Sequence, residues 1–74
     1  MKRFDLIELG NRLKQLRCER GLSRKKVAND TYMSEMTLTH YERADYMASI
    51  LNIVILAEYY GVSLEWLCYG ESEG

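Results

Sequence analysis

Leu6, Leu9, Leu13 and Leu16 recur at spacings of three and four, which places them on one face of an amphipathic helix. Val27 and Ala28 belong to a short second segment, and Thr37, Leu38 and Tyr41 to a third. Ile50, Ile53, Val54, Ala57 and Tyr60 form the inward stripe of a fourth, and Leu64 and Leu67 that of a fifth. Gly21, Gly61 and Gly70 follow the first, fourth and fifth segments, where a glycine commonly ends a helix. Ser23, Ser34, Ser49 and Ser63 each stand before an apolar-periodic segment, where a side-chain oxygen can take an orphan amide. Thr31-Tyr32-Met33 breaks the second segment and Ala44-Asp45 closes the third. Proline is absent and no alternating run is long enough for a strand. The expectation is an all-α, five-helix bundle in a single domain over residues 1–74. In it, 1–8 extend helix 1 at its N-terminus and 71–74 form a frayed tail.

The chain has 74 residues, 47% of them hydrophobic and 28% charged. That excludes disorder and collagen-like repeats, and it implies a thin core in which every apolar face matters. No apolar run approaches the ~20 residues that span a bilayer. The opening Met1-Lys2-Arg3-Phe4-Asp5 lacks the pattern of a signal peptide, so a cytoplasmic address is expected. Cys18 and Cys68 are too few for a disulfide framework and are read as reduced thiols filling space. The net charge of −1 hides an asymmetry. Nine of ten cations precede residue 28 and face only Asp5, Glu8 and Glu19, a balance of +6; Arg43 alone faces the eight later acids, a balance of −7. Such a domain can press a basic side onto a polyanion; the bland alternative is a set of solvated helix faces.

Two short helices joined by a tight turn are the geometry of a helix-turn-helix. Residues 21–28 (Gly-Leu-Ser-Arg-Lys-Lys-Val-Ala) and 33–43 (Met-Ser-Glu-Met-Thr-Leu-Thr-His-Tyr-Glu-Arg) resemble the phage repressor/Cro-type helix-turn-helix family. Leu9-Gly10-Asn11-Arg12-Leu13 before them, and Leu56-Ala57 and Gly61-Val62-Ser63-Leu64-Glu65-Trp66-Leu67 after them, agree in register. The resemblance covers about residues 9–70. It implies a five-helix DNA-binding domain that regulates transcription, often as a symmetric dimer. Three positions depart from the family's pattern: Tyr32 stands where the turn usually has Gly, Ala44 where Gly usually follows the recognition helix, and Arg24 where the scanning helix favours Gln. The first two replacements are costly wherever the backbone needs positive φ.

By resemblance, Glu35, Met36, Thr39 and His40 match the positions that read base edges. Thr and His donate and accept, Met can touch a thymine methyl, and Glu can accept from cytosine N4. Ser34 and Thr37 match backbone-contacting positions. Arg24, Lys25 and Arg43 are candidate phosphate contacts, with Lys14 and Lys26 as further cations; phosphate contacts set register and salt dependence. The resemblance also implies a partly buried ion pair of Arg17 with Glu42, which takes Arg17 off the DNA list. Glu35 brings negative charge to the recognition helix and keeps a second reading open, a protein-interaction module of antirepressor or adaptor type on the same fold.

An enzyme is excluded by inventory. His40 is the only histidine, no Cys, Asp or Glu is placed to form a triad or metal cluster with it, and no Gly-rich phosphate loop exists. No cofactor, metal or small-molecule ligand is expected. Leu51, Ile55 and Tyr59, four apart, form a second apolar stripe on the fourth helix. A helix apolar nearly all round is buried on more than one side, so this stripe is the candidate homodimer interface. The expected function is that of a small repressor or Cro-like regulator, two copies of which read a palindrome in double-stranded DNA.

Overall fold

The computed structural model describes residues 3–71, and among these it contains five helices and no strand. They are α1 (Leu6–Glu19), α2 (Arg24–Thr31), α3 (Glu35–Glu42), α4 (Ile50–Tyr60) and α5 (Leu64–Tyr69). The four serines cap as their positions imply: their hydroxyls accept from the amides of Lys26, Thr37, Asn52 and Trp66. The first helix has its own cap, the Asp5 carboxylate, which accepts from the Ile7 and Glu8 amides. That cap sets the start of the helix at Leu6, so of the expected extension over 1–8 residues 6–8 are helical and 3–5 are not, while 1–2 fall outside the described residues. Glu71 lies outside α5, and the rest of the expected frayed tail, 72–74, falls outside the described residues.

Four helices end in the same way. The chain takes a left-handed residue, and the next amide reaches back to a carbonyl five residues earlier: Leu22 to Arg17, Met33 to Ala28, Asp45 to His40 and Val62 to Ala57, at 2.9–3.1 Å. The left-handed residues are Gly21, Tyr32, Ala44 and Gly61. Tyr32 (φ 59°) and Ala44 (φ 61°) therefore make the same left-handed turn as Gly21 and Gly61 without being glycine. Thr31 does not break α2; it is the last helical residue, buried, with its hydroxyl donating to the Val27 carbonyl.

α1 packs on α3 and α5, α2 on α3 and α4, and α4 on α5. Leu9, Leu13 and Leu16 of α1 meet Val27, Ala28, Leu38, Tyr41, Ile53, Leu56, Ala57, Tyr60 and Leu67 in one core. Burying each large aliphatic here contributes about 1.5–3 kcal/mol. The inward stripe of α4 differs from expectation: Ile50 is 75% exposed, Val54 is half-buried, and Leu56 takes the core position. A helix this apolar offers no polar face to mark its outside, so the packing partners decide the orientation. Leu64 is also exposed, leaving Leu67 as the buried anchor of α5. Cys18 is exposed and fills no space, whereas Cys68 packs against the core and burial pushes its thiol up.

Candidate nucleic-acid interface

α3 is set by its contacts with α1 and α2. At the α1–α3 crossing, α1 presents Gly10, beside the Tyr41 and Glu42 carbonyls. At the end of α3, Glu42 is buried and accepts from Arg17 twice, at 2.7 Å (Nε) and 3.0 Å (Nη2). Such a two-point pair is directional and strong. The bond to Glu42 holds the Arg17 guanidinium above its ordinary range, with burial opposing. Arg17 also donates to the Leu22 carbonyl at 2.9 Å, tying the α1–α2 turn to the same point.

With its inner face held, α3 turns Glu35, Met36, Thr39 and His40 to the other side. These four residues, with Arg24 of α2 and Arg43 after α3, line a hollow of about 420 Å³. Met36 is 69% exposed in it. The Thr39 hydroxyl donates to the Glu35 carbonyl at 3.0 Å. His40 Nδ1 lies 2.8 Å from the Asp45 carboxylate, and its ring lies 5.1 Å from that of Tyr46. Arg24 has a second engagement, since its Nε lies 3.2 Å from Glu42. Ser34 and Thr37 sit at the start of α3, where the Ser34 hydroxyl caps the helix and donates to Thr37 Oγ1 at 2.8 Å. Lys25 is exposed, while Lys26 pairs with Asp30 at 3.2 Å.

Part of the N-terminal charge excess is structural. Arg12 donates to the Leu67 and Cys68 carbonyls at the end of α5, at 2.7 and 2.9 Å. Arg20 donates to the Tyr60 carbonyl at the end of α4, at 2.7 Å, and covers the Tyr60 ring. Both satisfy carbonyls that a helix end leaves orphaned, at its negative pole. No local signal could show this, because the partners lie 40 to 56 residues away.

The second stripe on α4 does not stand out as one exposed face. Leu51 is 66% exposed, but Ile55 and Tyr59 are half-buried. Tyr59 packs against the core, and its hydroxyl donates to Asp30 at 2.6 Å, which raises the tyrosine's pKa and lowers the carboxylate's. The exposed apolar residues here are instead Tyr46, Met47, Ile50 and Leu51, at the start of α4 and just before it. Among the described residues no helix is long and apolar enough to cross a membrane.

The sequence profile of the helix-turn-helix family HTH_3 matches residues 13–67, and the chain belongs to that family. The restriction-modification controller protein C.AhdI from Aeromonas hydrophila is similar at 30% identity, with a TM-score of 0.78 over 85% of this chain and 96% of that one. SinR, a master regulator for biofilm formation solved in complex with DNA, is 28% identical, with a TM-score of 0.73 over 80% and 95%. The P22 c2 repressor bound to a synthetic operator reaches a TM-score of 0.81 over 85% and 96%; at 17% identity it shows the fold alone. No curated protein sequence matches the chain.

Proposed function

We propose that the chain is a transcription regulator that reads double-stranded DNA with the outer face of α3. Membership in a helix-turn-helix family supports DNA-binding regulation and not enzymatic catalysis. The observation that carries the reading is the hollow itself: polar and apolar groups able to contact base edges line it together with two arginines, Arg24 and Arg43. In this reading Glu35, Met36, Thr39 and His40 contact bases, while Arg43, Lys25 and the cap region of Ser34 and Thr37 meet phosphates. Arg24 serves both its phosphate and Glu42.

The finer reading is a repressor of the phage Cro kind, working in the cytoplasm, with two copies on a palindrome. Its half-sites would lie about one helical turn apart. The two copies would meet through the exposed start of α4, Ile50 and Leu51, rather than through Tyr59. Sequence selection from a random DNA pool at moderate salt tests it, with sedimentation at several concentrations. Enrichment of a palindrome and a dimer at micromolar concentration are expected; one unpaired site, or a monomer throughout, removes the symmetric reading. The second reading, a module that binds a protein through Tyr46, Met47, Ile50 and Leu51, is favoured by their exposure. It would be preferred if no DNA sequence were enriched.

A further inference from the structure

His40 and Asp45 are joined twice. Ala44 takes a left-handed backbone and turns the chain back over the end of α3, so the Asp45 amide donates to the His40 carbonyl at 2.9 Å. The same turn brings Asp45 Oδ2 to 2.8 Å from His40 Nδ1. Arg43 Nε lies 3.6 Å from that oxygen, and the Tyr46 ring lies tilted at 34° to the imidazole. A backbone bond thus holds the residue at its carbonyl, and a carboxylate and an aromatic neighbour hold the ring.

That arrangement determines what the other ring nitrogen offers. An ionised carboxylate only accepts, so the hydrogen between the two groups sits on Nδ1. In a neutral imidazole Nε2 then carries a lone pair. The neighbouring groups agree with it. The Thr39 hydroxyl spends its hydrogen on the Glu35 carbonyl, and the Glu35 carboxylate accepts. Three polar groups of the reading face are therefore acceptors. In the major groove acceptors suit the amino groups of cytosine and adenine and oppose guanine, which shows O6 and N7, both acceptors.

We propose that Asp45 is a positioning residue that fixes the neutral form of His40 as a hydrogen-bond acceptor at Nε2, so that the base facing neutral His40 is cytosine or adenine and not guanine. This rests on the DNA reading above. Asp45 need not touch DNA; it acts through the imidazole. It stands two residues beyond the resemblance's recognition helix, and nothing in its residue type marks the role.

The test has two arms. In the first, the imidazole nitrogens of the free protein are observed by 15N NMR at a pH of about 8, above the ordinary histidine range. The Nδ1–H tautomer is expected in the wild type. Asp45→Ala should return the ring to the Nε2–H form that free histidine prefers, and Asp45→Asn should give a mixture, since an amide can accept or donate. In the second arm, random-pool selection is run at the same pH, where the imidazole is neutral, with the wild type, His40→Ala and Asp45→Ala. His40→Ala should make one column of the motif indifferent. Asp45→Ala should admit guanine at that column alone, cutting a discrimination of roughly five- to a hundred-fold to below about threefold. An Nε2–H tautomer in the wild type overturns the proposal. So does a column that keeps its preference in Asp45→Ala. Failure of the wild type to enrich any sequence overturns the DNA reading, and the base preference falls with it; enrichment alongside either of the first two results removes only the role of Asp45.

Discussion

Gly10 and Glu42 meet backbone to backbone: a Cβ on Gly10 would lie 2.8 Å from the Glu42 carbonyl oxygen and 2.9 Å from that of Tyr41. Neither atom can swing away, because both belong to the last turn of α3. Glycine is ordinarily a poor residue inside a helix, by about 0.5–1 kcal/mol against alanine. Gly10→Ala would gain that and still lose overall, since forcing the helices apart costs about 1–3 kcal/mol. Chemical denaturation should show a net loss of about 1–2 kcal/mol. A more stable alanine variant would show that the crossing relaxes freely.

Tyr32 and Ala44 occupy positive φ, at 59° and 61°. A side chain there is disfavoured by about 1–2 kcal/mol, and Tyr32, 97% exposed, recovers nothing by burial. Tyr32→Gly and Ala44→Gly should each raise stability by about 1 kcal/mol, less what the looser unfolded chain takes back. Melting temperatures of the two variants check this. A fall in both would mean that the side chains contribute contacts outweighing the backbone strain.

Glu42 accepts from Arg17 and, through Arg24 Nε, from a second cation. Glu42→Ala leaves the buried Arg17 uncompensated and should cost about 3–5 kcal/mol. Glu35→Ala, on the exposed face, should stay within about 0.5 kcal/mol. Thermal unfolding of both variants measures the contrast, and equal melting temperatures would remove Glu42 from the interior network.

Burial pushes the Tyr60 hydroxyl up to about 12 from an ordinary 10.0. The folded state therefore favours the neutral phenol. That contribution is complete below pH 10.0 and is lost as the pH rises toward about 12. Tyr59, raised by its bond to Asp30, acts in the same direction. Tyr60→Phe should keep its neutral-pH stability and lose part of the alkaline decline. An identical decline in the variant, followed by melting temperature from pH 9 to 12, would assign the effect elsewhere.

Much of the architecture is written locally. Each serine cap is a contact over three residues, from Ser23 to Lys26 or Ser49 to Asn52. The apolar spacing of α1 is likewise a property of neighbours in the chain. Such features survive in any helix of the right sequence, so the five helices and their order are legible without coordinates. The outer face of α3 is legible for the same reason: Thr39 lies four positions from Glu35 and His40 four from Met36, and one helical turn brings each pair together.

The rest belongs to tertiary structure because its partners are remote. α4 is apolar on nearly every side, so periodicity could not choose between Ile50 and Leu56; in the packed bundle, where α4 meets α2 and α5, Leu56 is buried and Ile50 is left out. Cations that look alike in sequence take different work, Arg12 and Arg20 at helix ends 40 or more residues away and Arg43 on the open face. Asp45 reaches His40 only because Ala44 accepts a backbone conformation that its own side chain disfavours. Local hydrogen bonding depends on the next few residues, whereas burial, charge pairing and tolerated strain depend on what the folded chain brings alongside.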